Sequence, residues 1–408
     1  MAASLPDGDP APRDGVLPAR TLEGLGGQRF GIYVHVPFCA VRCGYCDFNT
    51  YTAQELGVGR GASRESYVDA AITEIRLARR ILGDRELPAA TVFFGGGTPT
   101  VLAAEDLVRV VMAIREEFGL VSDPEITAES NPDSVDEGSL RTLAAGGFNR
   151  VSFGVQSVRP HVLDVLDRTH DPERVPAVVS WARQAGIEQI NVDLIYGTPR
   201  ESLADWEASL ETVLALRPDH VSAYSLIVEP GTALARQISR GDLPMTDEDD
   251  LADKYLMADT VLTDAGFAWY EVSNWARDRA SRSRHNMSYW TGANWWGVGP
   301  GAHSHVNGTR WWNVKHPAAY AARIEAGESP GAAREVLGAE TRRVERVLLG
   351  VRLADGLAVE ALDAKGLRAA SQVADRGLID GTALAAGWVV LTREGRLLAD
   401  AVVRDLLP

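Results

Sequence analysis

The run Ile32-Tyr33-Val34-His35-Val36-Pro37-Phe38-Cys39-Ala40-Val41-Arg42-Cys43-Gly44-Tyr45-Cys46-Asp47-Phe48-Asn49 joins an apolar stretch to all three cysteines of the 408-residue chain. Ile32 to Val36 reads as a short buried strand, so the cysteines fall on the loop that leaves it. Their spacing, C-x3-C-x2-C, is tight enough for three thiolates to converge on one metal centre. An extracellular disulfide framework does not fit three clustered cysteines, and a reduced compartment is expected.

Working outward, five further apolar runs resemble buried strands: Thr91 to Phe94, Glu125 to Ala128, Arg150 to Val155, Ile190 to Ile195 and His220 to Ile227. Amphipathic stretches separate them, among them Glu65 to Leu82, Glu105 to Phe118, Leu203 to Leu216 and Asp249 to Ala265, with Ser134 to Glu137 and Thr246 to Asp249 placed like capping boxes. The alternation predicts an α/β fold, a parallel sheet with right-handed crossovers, either doubly wound or rolled into a closed or partial barrel. Residues 1–28 are rich in Gly, Pro, Ala and Asp and read as a disordered lead-in, leaving 29–268 for the core. Between Trp269 and Trp312 lie seven of the ten tryptophans, in Gly-rich, strand-poor sequence, and 269–337 is expected as a separate module. The tail, 338–408, carries helical patterns, and Gly387 to Leu391 with Thr392 to Leu398 looks like a hairpin closing a small helical domain.

A formal charge of −15 argues against a phosphate-binding surface, which needs clustered Lys and Arg, so no nucleic-acid partner is expected. No apolar run reaches the roughly 20 residues that span a bilayer, and the first residues lack the order of a signal peptide. The expected location is cytoplasmic.

A cubane held by three thiolates leaves one iron open, whereas structural zinc needs a fourth protein donor, for which His35 is the local candidate. Gly95-Gly96-Gly97-Thr98-Pro99 follows the second strand without the G-x-G-x-x-G order of a dinucleotide fingerprint. It is either a plain turn or a close backbone approach to a ligand at a strand's C-terminal end. Glu129, Gln156 and Asp193 each fall at or near such an end, and three polar side chains there outweigh the reading of each as a cap. In the Trp-rich module, His285-Asn286-Met287-Ser288-Tyr289-Trp290 and then Gly299-Pro300-Gly301-Ala302-His303-Ser304-His305 admit two readings: packing that closes the open side of a barrel, with the histidines as satisfied loop groups, or a haem pocket in which one imidazole is an axial ligand.

Tyr33 to Cys39 with Cys43 to Asn49 resembles radical-SAM proteins of the coproporphyrinogen-dehydrogenase-like group, first among them the HemW haem-chaperone family, and the similarity runs along most of residues 30 to 230. The resemblance implies a partial (β/α)6 barrel with the Trp-rich extension closing it and a small helical or winged-helix-like C-terminal domain. It implies a [4Fe-4S] cluster on Cys39, Cys43 and Cys46 whose open iron is chelated by S-adenosylmethionine. It further implies S-adenosylmethionine contacts from Tyr33, Tyr45, Gly96, Gly97, Thr98, Glu129, Gln156, Arg168 and Asp193. H-N-x-x-Y-W is similar to a motif linked to haem in that family, making His285, Asn286, Tyr289 and Trp290 the expected haem contacts.

The related dehydrogenases carry a further cysteine two positions after the third, where this chain has Phe48, and a longer N-terminal region. Both departures favour a haem-binding and haem-delivering chaperone over a radical enzyme that decarboxylates coproporphyrinogen III. A zinc-stapled scaffold is the structural alternative. Expected partners are haem or another tetrapyrrole, recipient haemoproteins and an electron donor for the cluster, with dimer formation left open.

Overall fold

A computed structural model describes residues 7–56 and 63–407. Six strands, β1 (Phe30–Val36), β2 (Ala89–Gly96), β3 (Leu120–Ser130), β4 (Arg150–Gln156), β5 (Gln189–Tyr196) and β6 (His220–Ser225), pair in parallel in chain order. β1 and β2 are largely apolar, whereas from β3 to β6 apolar residues alternate with polar ones such as Glu129, Arg150, Ser152, Asn191 and Asp193, which line the barrel interior. Helices Arg64–Leu82, Ala104–Phe118, Glu137–Ala145, Val175–Gln184 and Leu203–Ala215 make the crossovers, and Glu248–Asp264 follows β6. The six-fold β/α repeat expected from the sequence is therefore present, in a mixed 13-stranded sheet with two free ends rather than a closed barrel.

The Trp-rich segment differs from its expectation. It supplies six strands, and they extend both edges of the sheet. Asn274–Ala276 and Ala268–Glu271 add antiparallel beyond β6. Asn294–Val298 adds parallel to β1, and His303–Val306, Thr309–Asn313 and Gly331–Val336 continue antiparallel from it. The tryptophans serve as aromatic neighbours across these strands, Trp296 against Trp311 at 4.7 Å between centroids, which is how aromatic pairs stabilise a sheet. The helix Arg284–Trp290, between the two groups, enters the barrel.

Three other expectations are corrected. The lead-in is ordered from residue 7: Asp9–Pro10 pairs with the outermost strand, and Leu17, Thr21 and Leu25 are buried. Low complexity misleads here because the order comes from the distant strand, not from the segment's own periodicity. The caps shift to aspartates, with Asp136 accepting from Ser139 N at 2.7 Å and Asp247 accepting from Asp249 N and Asp250 N. Ser134 instead pairs with Thr100 at 2.6 Å in the preceding loop.

At the C-terminus, Trp388–Val389 pairs with Leu357–Ala358, and Arg393–Leu397 is helical, so no local hairpin forms. This unit builds its own core from Val347, Val351, Val373, Val389 and Val402. Arg393 and Arg396 hold it to the barrel through Asp259, at 3.0 and 2.8 Å.

Candidate functional site

The cysteine loop is pinned on both sides. Phe38–Cys39 pairs with Tyr51–Thr52, Gly44 N donates to Leu166 O at 3.1 Å, and Gly44 O accepts from Leu234 N at 2.9 Å. All three thiols are free and partly buried. Burial first, then the neighbouring thiols, pushes Cys39 up to about 11, and burial raises Cys46 as well. Such thiols stay protonated at neutral pH unless a cation draws the protons off, which is what a metal centre does. The donor set fits an iron-sulfur cluster.

It does not fit a zinc staple. A structural zinc needs a fourth protein donor beside the three thiols. His35, the expected fourth donor, has both ring nitrogens engaged, with Tyr33 OH and the Asn49 carbonyl, each at 2.9 Å.

The glycine turn lies against this loop. Gly97 N donates to Val36 O and Thr98 N to Phe38 O, both at 2.8 Å. A Cβ at Gly97 would stand 2.4 Å from Phe38 O and 3.0 Å from Cys39 Sγ, and Gly96 has φ +110°. The close approach anticipated for these glycines is therefore, in the first place, an approach to the cysteine loop itself.

Arg168 reaches the same loop from the segment after β4. Its guanidinium donates to Cys43 Sγ at 3.4 Å, Asn131 Oδ1 at 2.8 Å and Gly154 O at 2.5 Å. Asn131 in turn donates to Thr98 Oγ1 at 3.2 Å. Gln156 ends β4 in a left-handed conformation, φ +64°, with a buried Oε1 that has no partner. Tyr45 packs on the apolar cluster of Leu166, Ile195 and Leu226.

Glu129 and Asp193 face inward from β3 and β5. Gly96 N donates to Glu129 Oε2 at 3.3 Å, while Ser152 and Asn191 donate to Asp193 at 2.6 and 2.8 Å. Burial and then the Asp193 charge push Glu129 up to about 8, and burial raises Asp193. Tyr33, raised well above its usual value by burial, stands beside Glu129.

Two cavities meet on these residues. The outer, about 360 Å³, lies at the barrel mouth beside the cysteine loop and is lined by Gly96, Phe48, Trp295, His303 and Lys315. The inner, about 250 Å³, lies inside the barrel with Asp193, Arg150 and Asn286 on its wall. Tyr33, Glu129 and Tyr289 line both. Phe48 is 62% exposed at the mouth.

His285 is placed differently from expectation. It is fully buried, with Nδ1 joined to Thr91 Oγ1 and Nε2 to Tyr289 OH, both at 2.8 Å. Its ring stacks on Phe93 at 5.0 Å, and burial lowers it to about 3. Neither nitrogen is available to an iron. The helix N-terminus is seated on Glu125, which accepts from Arg284 N and His285 N at 3.0 and 2.9 Å and is itself paired with buried Arg150. Of the expected haem contacts, Asn286 and Tyr289 reach a cavity, whereas Trp290 lines neither and lies near Glu271. The motif makes a plug.

Sequence reasoning passed over Asn49, which donates to Pro300 O and Lys315 O at 3.0 and 2.9 Å and so ties the cysteine loop to the extension. Its place directly after the third cysteine and Phe48 was the available signal. His303 was among the imidazoles read as a possible haem pocket, whereas Lys315 carried no signal, since it is close to the loop only in space.

The radical SAM superfamily model matches residues 33–213. The heme chaperone HemW of Mycobacterium tuberculosis is 48% identical over 95% of this chain and 97% of its own length. That of Bacillus subtilis is 33% identical over 91% and 97%. Among solved structures, coproporphyrinogen III oxidase (HemN) from Escherichia coli superposes with a TM-score of 0.80 at 24% identity, covering 95% of this chain and 92% of that one, a likeness of fold.

Proposed function

Because this chain belongs to the HemW family of heme chaperones within the radical SAM superfamily, we propose that it binds haem and delivers it to haemoproteins. The observation that carries this reading is near-full-length identity to a heme chaperone, 48% over 97% of that protein. Cys39, Cys43 and Cys46 would hold a [4Fe-4S] cluster, with S-adenosylmethionine as its chelating ligand. When bound, the cluster supplies an open iron for chelation and an electron for cleavage of S-adenosylmethionine.

The chain's own groups divide the remaining work. Glu129 and Asp193 offer carboxylate acceptors to the amino and hydroxyl groups of S-adenosylmethionine, and a cationic ammonium there would offset the burial and the Asp193 charge that together keep Glu129 protonated. Gln156 has a buried oxygen in need of a donor. Arg168 supports Cys43 and the Gly154 carbonyl, positioning the loop against β4. Thr98 and Gly97 fix the turn on which the loop rests, and Tyr33, Tyr45 and Gly96 complete the wall.

Phe48 speaks against a radical enzyme acting on coproporphyrinogen III, because it sets an exposed apolar ring at the mouth where the related dehydrogenases carry a further cysteine. Haemin titration of anaerobically reconstituted protein, with a parallel assay for protoporphyrinogen IX, tests the proposal. Saturable haemin binding without product is expected. Product formation, or no haemin binding by fully loaded protein, overturns it.

A further inference from the structure

The plug leaves the haem-binding reading without an iron ligand at His285, and the outer cavity supplies another. Of the eight histidines, His35, His220, His285 and His305 have both ring nitrogens hydrogen-bonded. His161 and His316 each have one nitrogen bonded, and His170 is buried away from both cavities. His303 alone is exposed, lines the mouth, and has neither nitrogen bonded among the described residues.

Its ring is nonetheless held. His303 starts a strand, its carbonyl accepts from Trp295 Nε1 at 3.0 Å, and its ring stacks on Trp312 with centroids 5.8 Å apart at 27°. A ring fixed by its face keeps its nitrogens free at the edge, which is what an axial ligand needs. Around it stand Phe48 and Trp295, able to lie along a porphyrin, and Lys315, whose near charge is Asp47 of the same lining but which makes no ion pair within 4 Å among the described residues. At about 360 Å³ the cavity is at the low end for ligand sites, so a porphyrin enters by one edge and remains partly accessible. That suits cargo to be handed on.

We propose that His303 is the axial ligand through which this chain holds haem iron, with Lys315 facing a propionate and Phe48 and Trp295 flanking the macrocycle. This rests on the haem-binding reading above and gives it a place, beside the cysteine loop rather than in the plug.

The test is haemin titration of the full chain, reconstituted anaerobically, followed by the Soret band. Wild type, His303→Ala, His303→Gly and His285→Ala are compared, each first checked by circular dichroism. Expected for His303→Ala is at least a tenfold loss of affinity with a displaced Soret band, and for His303→Gly a return of the wild-type spectrum on adding free imidazole. His285→Ala, where folded, keeps the wild-type spectrum. If wild type binds haemin and His303→Ala binds equally with an unchanged spectrum, the assignment to His303 is overturned while the chaperone reading stands. If wild type does not bind, both fall. Should His303→Ala not fold, His303→Gln decides between the same outcomes.

Discussion

The plug and the mouth of the barrel are built from the same kinds of residue, imidazole, tyrosine and carboxylate, yet they differ in how their polar atoms are used. In the plug, His285, Tyr289, Thr91, Glu125 and Arg150 bond one another in a buried network. At the mouth, three thiols are free, Gln156 Oε1 has no partner, Glu129 is held protonated, and His303 keeps both nitrogens unbonded among the described residues. Buried polar groups that satisfy each other fix a shape, a buried one left open such as Gln156 Oε1 costs free energy until something binds, and an exposed one such as His303 stays available to a ligand. The difference separates the scaffold from the site more sharply than residue type does.

Breaking the plug should have the largest effect. His285→Ala removes a stacked ring and leaves Thr91 and Tyr289 without partners, and should lower unfolding free energy by about 2–5 kcal/mol in a denaturant titration. A loss under about 0.5 kcal/mol would remove the distinction drawn here. Next, Gly97→Ala forces a methyl against Phe38 O, and should cost about 1–3 kcal/mol and reduce the iron retained after reconstitution. Iron content equal to wild type would show that the loop yields freely.

The two regions should also answer oppositely to pH. His285 is lowered to about 3, so the unfolded chain binds the extra proton, and stability from this group is lost as pH falls from 6.5 towards 3. Glu129 is raised to about 8, so the folded chain keeps the proton, and stability from this group falls as pH rises from 4.5 to 8. Glu129→Gln should flatten the alkaline slope of the melting temperature in protein free of S-adenosylmethionine; an unchanged slope would place the ionisation elsewhere. The smallest effect is at Phe48, where Phe48→Ser on an exposed ring should move stability by no more than about 0.5 kcal/mol while weakening haemin binding.

The six barrel strands were legible in the sequence because each carries a short apolar set, continuous in β1 and alternating with inward polar residues in β4, β5 and β6, between amphipathic helical stretches. The cysteine loop was legible because its chemistry is contiguous. What escaped depends on contacts far apart in the chain: Asp9 with Arg334, Leu357 with Val389, Asn49 with Pro300. The spacing of His285 and Tyr289 put both on one helix face, as found, but four-residue spacing does not say whether that face looks into a cavity or into a sheet. Asp136 and Asp247 won the caps because the position of the cap follows the backbone turn, which composition does not locate.

The plug also sets an order of assembly. Thr91 meets His285 across 194 positions, and His285 meets Glu125 across 160. Closing loops of that length is slow, so β1 to β6 can pair long before the Arg284–Trp290 helix arrives. During synthesis from the N-terminus the barrel leaves the ribosome with its base uncorked, and the buried Glu125–Arg150 pair meets solvent until the last third of the chain is made. In that interval the barrel stands open at its base, and the cysteine loop still lacks the ties from Asn49 to Pro300 and Lys315 that later fix it to the extension.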